Sequence, residues 1–381
     1  MRRGNIKRSN VWRSVVLAVA LALTGISPEL AASPSVARIA NAWRHIEPKA
    51  ALVHTQPPAR LPVAAASVTR KRAAAPPPLP ACAAGVVAHL VEVGDLATDD
   101  KYIYFVDGED LIARVAKEGG TPTLLGEVPG ALIVSMTTDD ARIYFTTWDD
   151  DSLTGSIYSI AKDGGPVRAL VRGLATPFDL TVDGQFVYWL AVGTSAGDGF
   201  LADGAIGRAA KADGSGVLKL ASNLSLPVSL TLDATNVYYS ETGAGLGNPS
   251  VGLRRVPLAG GPISKLVDGI IVGPVAVDSA TVYYGTLTGS GTFEIASLPK
   301  SGGNPRLLVS GLDDISSLKL FGSTLYYVSE SDETSINAVP AAGGARRMVR
   351  TGGLATAKIA IEECLLYFAS DENSTLERIP R

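Results

Sequence analysis

Apolar and polar positions along this chain follow one recurring phrase, which residues 162–188 show cleanly: KDGGPVRALVRGLATPFDLTVDGQFVY. A Gly-Gly turn opens it. A short alternating segment follows, then a polar break, then a second segment ending at Asp183. A three-residue turn leads into Val187-Tyr188-Trp189. Alternation of period two between Gly- and Asp-containing turns predicts short β-strands.

The phrase comes back along the chain. Aromatic doublets begin at Tyr104, Tyr144, Tyr188, Tyr238, Tyr283, Tyr326 and Tyr367, 40 to 50 residues apart. The first glycines of the turns between them are Gly119, Gly164, Gly214, Gly260, Gly302 and Gly343. Each precedes the next tyrosine by 23 to 25 residues but follows the previous one by 15 to 26. One half of the unit is therefore nearly constant in length, and the other half absorbs the variation. Each unit supplies four strands, A to D; in the third unit A ends near Asp183, and B, C and D fall at 187–190, 206–210 and 217–220. Four short strands per unit at this spacing predict propeller blades. A single unit is too small to bury two apolar faces, whereas a closed ring buries both and protects the strand edges. The expected fold is all-β, a seven-bladed β-propeller over residues 81–381; an open sandwich or solenoid is the alternative.

The last unit stops after its third strand, so something must cover the exposed edge. Residues 83–87 stand at the same offset before Tyr104 as strand D of the second unit does before Tyr188, and are expected to close the last blade. The chain has two cysteines. Cys82 lies at the start of the borrowed strand and Cys364 at the start of strand B of the seventh unit, on the same rim of the same blade. Strand spacing alone puts them about 9–10 Å apart. They read as a disulfide if the rim loops converge, and as two thiols if not.

Regularity assigns most of the conspicuous residues to the scaffold. Val187, Val237, Val282, Leu325 and Leu366 precede their tyrosines and point to the opposite face, so both faces of a blade can be apolar. The aromatic doublets read as core, with the phenols reaching backbone partners. Asp99, Asp139, Asp183, Asp233 and Asp278 recur at the end of strand A, where a carboxylate can bind the turn amides; Phe321 and Glu362 replace it in units six and seven.

Composition changes the picture mainly at the N-terminus. The chain has 381 residues, a net charge of -3, 19% charged residues and 40 glycines, with no basic field to suggest nucleic acid. Arg2, Arg3, Lys7, Arg8 and Arg13 precede an apolar run at 15–23, and Ala31-Ala32-Ser33 offers a cleavage site. Residues 1–33 read as a signal peptide, the alternative being an uncleaved membrane anchor. Residues 34–80 read as an extended Ala/Pro-rich linker, in which Arg70-Lys71-Arg72 is a solvated basic cluster. The expected location is the periplasm or extracellular space, with no membrane span once the signal is removed, and the expected state is a monomer.

The varying half of the unit lies between strands B and C. The long loops, 148–155, 193–204 and 242–252, belong to consecutive units and would form one lip of the ring. Trp148 is expected to stand exposed beside Asp149, Asp150 and Asp151. With Asp198 and Asp203 these acids are candidate ligand-binding residues; Arg254 and Arg255 on a C strand could pair with them. The acids could hold Ca²⁺, though no EF-hand spacing is present and no cofactor is expected. The only histidines are His45, His54 and His89. No Ser-His-Asp set and no histidine-rich zinc site can therefore form within the repeats.

The pattern Asp, short turn, Val-Tyr-Trp/Tyr, then Ile-x-Arg-x-x-Lys-x-Gly-Gly resembles the YWTD and TolB-like bacterial propeller repeats. It is carried by residues 183–189, 233–239 and 278–284, with 111–120 for strand C and its turn. Two departures stand out. The YWTD type is usually six-bladed, and the fourth motif position survives only as Asp107, the others being Thr147, Ala191, Glu241, Thr286, Ser329 and Ser370. The resemblance implies the fold and leaves the activity open, since such propellers serve as binding modules, scaffolds or enzymes. The expected function is a non-catalytic exported module that binds a protein or saccharide through the lip. The alternatives are a carboxylate- or metal-assisted hydrolase or lactonase, and a purely structural head held off the envelope by the linker.

Overall fold

In a computed structural model, the described residues are 82–381, except 91–92, 150–151, 153, 197–198, 244–250, 270–271, 330–333, 353, 355–357 and 371–373. The expected signal peptide and linker lie outside them. Seven four-stranded antiparallel sheets form the seven blades of a β-propeller, as the repeat spacing predicts. In blade 3 the strands are Pro177–Val182 (A), Phe186–Ala191 (B), Gly204–Ala210 (C) and Leu218–Leu224 (D), paired in that order. The other A strands are Val93–Thr98, Leu132–Thr138, Pro227–Leu232, Val272–Val277, Ser317–Phe321 and Ile359–Ile361. A strands of neighbouring blades lie against one another, so they form the inner wall of the ring.

Seven hydrophobic clusters fill the seven interfaces between blades. The interface between blades 3 and 4 is typical. Tyr188, Leu190 and Ile206 of one blade meet Leu230, Val237 and Tyr239 of the next. Alternation along strand B explains the division: Tyr188 faces forward, while Val187 and Trp189 face backward into the cluster shared with blade 2. The aromatic doublet is therefore core on both sides.

The ring closes as the missing strand requires. Gly85–His89 pairs with Thr375–Pro380, the third strand of blade 7, and Val87 and Ala88 enter the cluster shared with blade 1. The strand starts two residues later than the alternation suggests. Residue Cys82, with φ of 56°, and the two residues after it form the corner from which the strand sets out. Cys82 and Cys364 are bridged, their Cα atoms 5.5 Å apart. Both lie outside the strands, on the rim, which lets them approach closer than strand spacing would allow.

Candidate binding surface

The two rims of the ring differ, and the difference locates the candidate site. On the rim carrying the A–B and C–D turns, the recurring aspartate does more than bind turn amides. Asp99 Oδ1 accepts from the amides of Lys101 and Tyr102, each at 2.9 Å, and Oδ2 accepts from the Tyr104 hydroxyl at 2.7 Å. The same phenol–carboxylate bond joins Tyr144 to Asp139 (2.9 Å), Tyr188 to Asp183 (2.8 Å), Tyr238 to Asp233 (2.9 Å) and Tyr283 to Asp278 (2.8 Å).

A lysine from the C–D turn of the following blade then reaches back. Lys162 meets Asp99 at 2.8 Å, Lys211 meets Asp139 at 2.7 Å and Lys300 meets Asp233 at 2.7 Å. Each lysine also lies over the ring of the tyrosine it joins. The two blades that lack the aspartate keep the contact in altered form. Lys117 of blade 1 pairs with Glu362 of blade 7, across the closure. Arg381 stacks on Phe321, 4.4 Å from the ring centre. C-strand arginines add a second tie: Arg114 donates to Lys162 O at 2.6 Å, Arg255 to Lys300 O at 2.6 Å and Arg378 to Lys117 O at 3.1 Å.

These ties set the charges. Burial opposes the ionised carboxylates, yet the lysine, the phenol and two amides outweigh it. Asp139 is lowered to about 2, and Asp99 and Asp233 are also held well below the ordinary range. Burial, reinforced by the neighbouring carboxylate, pushes Tyr188 and Tyr238 up to about 12.

The doublet of blade 4 gives a sharp test. The Tyr238 hydroxyl donates to Asp233, whereas the buried Tyr239 hydroxyl has no hydrogen-bond partner among the described residues. Tyr238→Phe is expected to cost about 1 kcal/mol in urea unfolding, and Tyr239→Phe to be neutral or stabilising, because it removes an unsatisfied buried group. Equal losses from the two variants would contradict this assignment.

The opposite rim carries the B–C loops. Sequence reasoning placed Trp148 there, exposed; the structure buries it, with 2% of its surface accessible. Strand B of blade 2 runs to Asp149 rather than stopping before the tryptophan, so Trp148 pairs with Leu132 and Gly155 inside the sheet. Asp149 accepts from the Ser152 amide at 2.9 Å. It borders a cleft of about 270 Å³ lined also by Thr147, Thr154, Tyr158 and Arg172. Asp150, Asp151 and Asp198 lie outside the described residues.

Asp203 holds the loop of blade 3 in shape. It accepts from the Thr194 amide at 2.8 Å and the Thr194 hydroxyl at 2.7 Å, around a small hairpin of Ser195–Ala196 and Gly199–Phe200. The bases of these loops are tight. A Cβ at Gly155 would stand 2.4 Å from Pro177 Cδ, and one at Gly204 2.7 Å from Pro227 Cδ, so each loop ends against the next blade.

The two arginines face opposite ways, and Arg254 holds the base of the 242–252 loop. Arg254 is buried. It donates to Val267 O at 2.6 Å and Val251 O at 3.1 Å, and pairs with Asp268 and, at 3.9 Å, with Glu241. Burial raises the Glu241 carboxyl despite the Ser225 amide and Arg254. Arg255, the next residue, points to the other face of its strand and is one of the ties to the following blade. Among the described residues no three acids, histidines or cysteines converge as metal ligands. The acids considered for Ca²⁺ include three that lie outside them. His89 stands exposed on the closure strand.

No family model matches the chain, and no curated protein matches it. Many solved structures share the fold. A chain from a nidogen/laminin complex is 18% identical, with 64% of this chain and 90% of that one covered and a TM-score of 0.46. The tricorn protease is 12% identical with a TM-score of 0.57; the match covers 78% of this chain and 34% of the protease. The computationally designed Ika8 protein is 12% identical, with 78% and 99% coverage and a TM-score of 0.50. At these identities the likeness is one of fold.

Proposed function

We propose that this protein is an exported binding module, related to the YWTD and TolB-like repeats, whose B–C loops on blades 2 to 4 engage a protein partner outside the cytoplasm. One observation carries the reading: the two rims have diverged. One rim repeats the same aspartate–tyrosine bond in five blades and adds the same lysine tie to the next blade at three of them. The other varies in loop length and carries the only two-stranded hairpin among the described residues. A rigid ring presenting shaped, unlike loops on one face is an arrangement suited to recognition. The disulfide is compatible with an oxidising compartment. A saccharide ligand would use the same loops. The hydrolase alternative calls for carboxylates from several blades to converge at the axis. Asp95 and Asp179 do come from different blades, but both accept backbone amides from their own and the following blade.

The test is site-specific photo-crosslinking in the native host. A photoreactive residue at Leu201, 51% exposed on the loop of blade 3, is expected to give discrete protein adducts; one at Ile263, on the C–D turn side of blade 4, is expected to give none. Replacing 194–203 by a short turn should abolish the adducts while leaving thermal unfolding cooperative. Identical adducts from both positions would overturn the reading. A saccharide ligand would show instead as binding to a glycan array that is lost on the same loop replacement.

A further inference from the structure

Strands B and C of blade 2 outgrow those of blade 1, and the difference opens a cleft. Strand B starts two residues before its tyrosine in both blades, but it runs Tyr102–Asp107 in blade 1 and Arg142–Asp149 in blade 2. Strand C runs Leu111–Ala116 in the first and Thr154–Ala161 in the second. The longer strands of blade 2 therefore reach about 7 Å further at the B–C rim. Along this ribbon Phe145 pairs with Tyr158, Thr147 with Ser156 and Asp149 with Thr154. Alternation turns all of them toward blade 1. Lower in the ribbon, Phe145 and Ile160 enter the cluster shared with that blade. Higher up, blade 1 has already ended in its turn at 108–110. The upper side chains thus line a cleft of about 270 Å³ instead of packing on a neighbour.

The lining is polar, and Ala131 is its only aliphatic side chain. Thr147 is 3% exposed, yet its hydroxyl, like that of Ser156, has no hydrogen-bond partner among the described residues. Arg172, on strand D (Arg168–Leu174), donates to the Tyr158 hydroxyl at 3.1 Å and lies over the same ring, 5.5 Å from its centre. Phe145 stacks on Tyr158 with the ring centres 5.7 Å apart. These contacts fix the guanidinium at the wall and leave most of its N–H donors unused. At the mouth, the Ser152 and Thr154 hydroxyls bond to each other at 2.9 Å, and Asp149 accepts from the Ser152 amide.

We propose that this cleft binds a saccharide, with the Thr147 and Ser156 hydroxyls and the Arg172 guanidinium bonding to the hydroxyls of a sugar ring. The site goes beyond the protein-binding reading of the lip and stands without it. Protein hydroxyls donate and accept, as those of a sugar do, so the two sets match in both senses. Asp149 and Arg172 balance in charge, which disfavours a strongly ionic ligand. A short zwitterion would use those two charges and leave the hydroxyls idle. The volume, just under that of pockets for drug-sized ligands, suits about one sugar ring. The lining groups Thr147, Ser156 and Arg172 stand on paired strands rather than on loops, so they are held in place before the ligand arrives.

The test is saturation-transfer-difference NMR on the full chain, with maltose, cellobiose and diacetylchitobiose as probes and glycylglycine as the zwitterionic comparison. At least one of the saccharides is expected to bind saturably, with a dissociation constant on the order of 1 mM, as so small a contact allows. Arg172→Ala should weaken it about tenfold through loss of a charged donor, and Thr147→Val several-fold. Arg168→Ala, an exposed arginine at the other end of strand D, should leave it unchanged. All three variants should keep cooperative thermal unfolding. Replacing 194–203 should also leave it unchanged, because that loop belongs to blade 3; this site and the lip therefore succeed or fail separately. Saccharide binding that is lost on that replacement but kept in Arg172→Ala would overturn the proposal. So would the lack of a saturable signal from all the saccharides, or binding of glycylglycine alone.

Discussion

Replacing Cys82 and Cys364 together by serine is expected to lower the stability of the propeller by about 4 kcal/mol, with reduction of the wild-type protein giving the same loss. The two cysteines are 282 residues apart in sequence, so the bridge ties one end of the ring to the other. A cross-link over so long a loop restricts the unfolded ensemble strongly. The folded side of the balance matters too. The closure strand Gly85–His89 is short, and besides its pairing with Thr375–Pro380 it contributes only Val87 and Ala88 to the buried core. Freed from the bridge, it can peel from the edge while blades 2 to 5 stay paired. Hydrogen exchange should therefore accelerate first in residues 85–89 and 375–380. The single variants should each lose as much as the double one, since either removes the whole bridge. Unfolding midpoints that coincide with and without reductant would contradict this account.

Most of the scaffold was legible in the sequence because it is local and repeated. Alternation set the strands, the glycine-to-tyrosine spacing set the unit, and the absent fourth strand in the seventh unit pointed to closure by residues before Tyr104. What was not legible depends on which neighbours meet in three dimensions. The aspartate five residues before five of the seven tyrosines was visible as a spacing, and so was the Lys-x-Gly-Gly turn. That one reaches the other across blades follows only from the ring geometry. Trp148 was misread because strand B is longer in blade 2 than in the other blades, carrying into the sheet a residue that sits where loops begin elsewhere. Arg254 and Arg255 were taken together by adjacency, although adjacent strand residues face opposite ways.

The ring of ionised aspartates makes a second large effect, the response to acid. Asp99, Asp139, Asp183, Asp233 and Asp278 are all lowered from the ordinary carboxylate value: burial works against their charge, and bonds from phenols and turn amides overcome it, with a lysine bonded to Asp99, Asp139 and Asp233 and a lysine charge nearby at Asp183 and Asp278. A carboxyl depressed in the folded state stabilises it fully above the unfolded pKa of about 4, and that contribution disappears as pH falls through the folded pKa. Asp139, lowered from 3.8 to about 2, accounts for roughly 2 kcal/mol of this kind. The stability of the propeller should be flat in this contribution from neutral pH down to about 5, then drop steeply between about 4 and 2, with net proton uptake on unfolding. Asp139→Asn should lower stability at neutral pH and flatten the acid limb by up to one proton, because the amide keeps an acceptor for the turn but has no charge for Lys211. Lys211→Met should have the complementary effect: it leaves the phenol and amide bonds in place and moves the onset of the acid limb to higher pH. An acid limb unchanged in both variants would mean that these aspartates are not the groups that titrate, and the picture of a charge-tied rim would have to be given up.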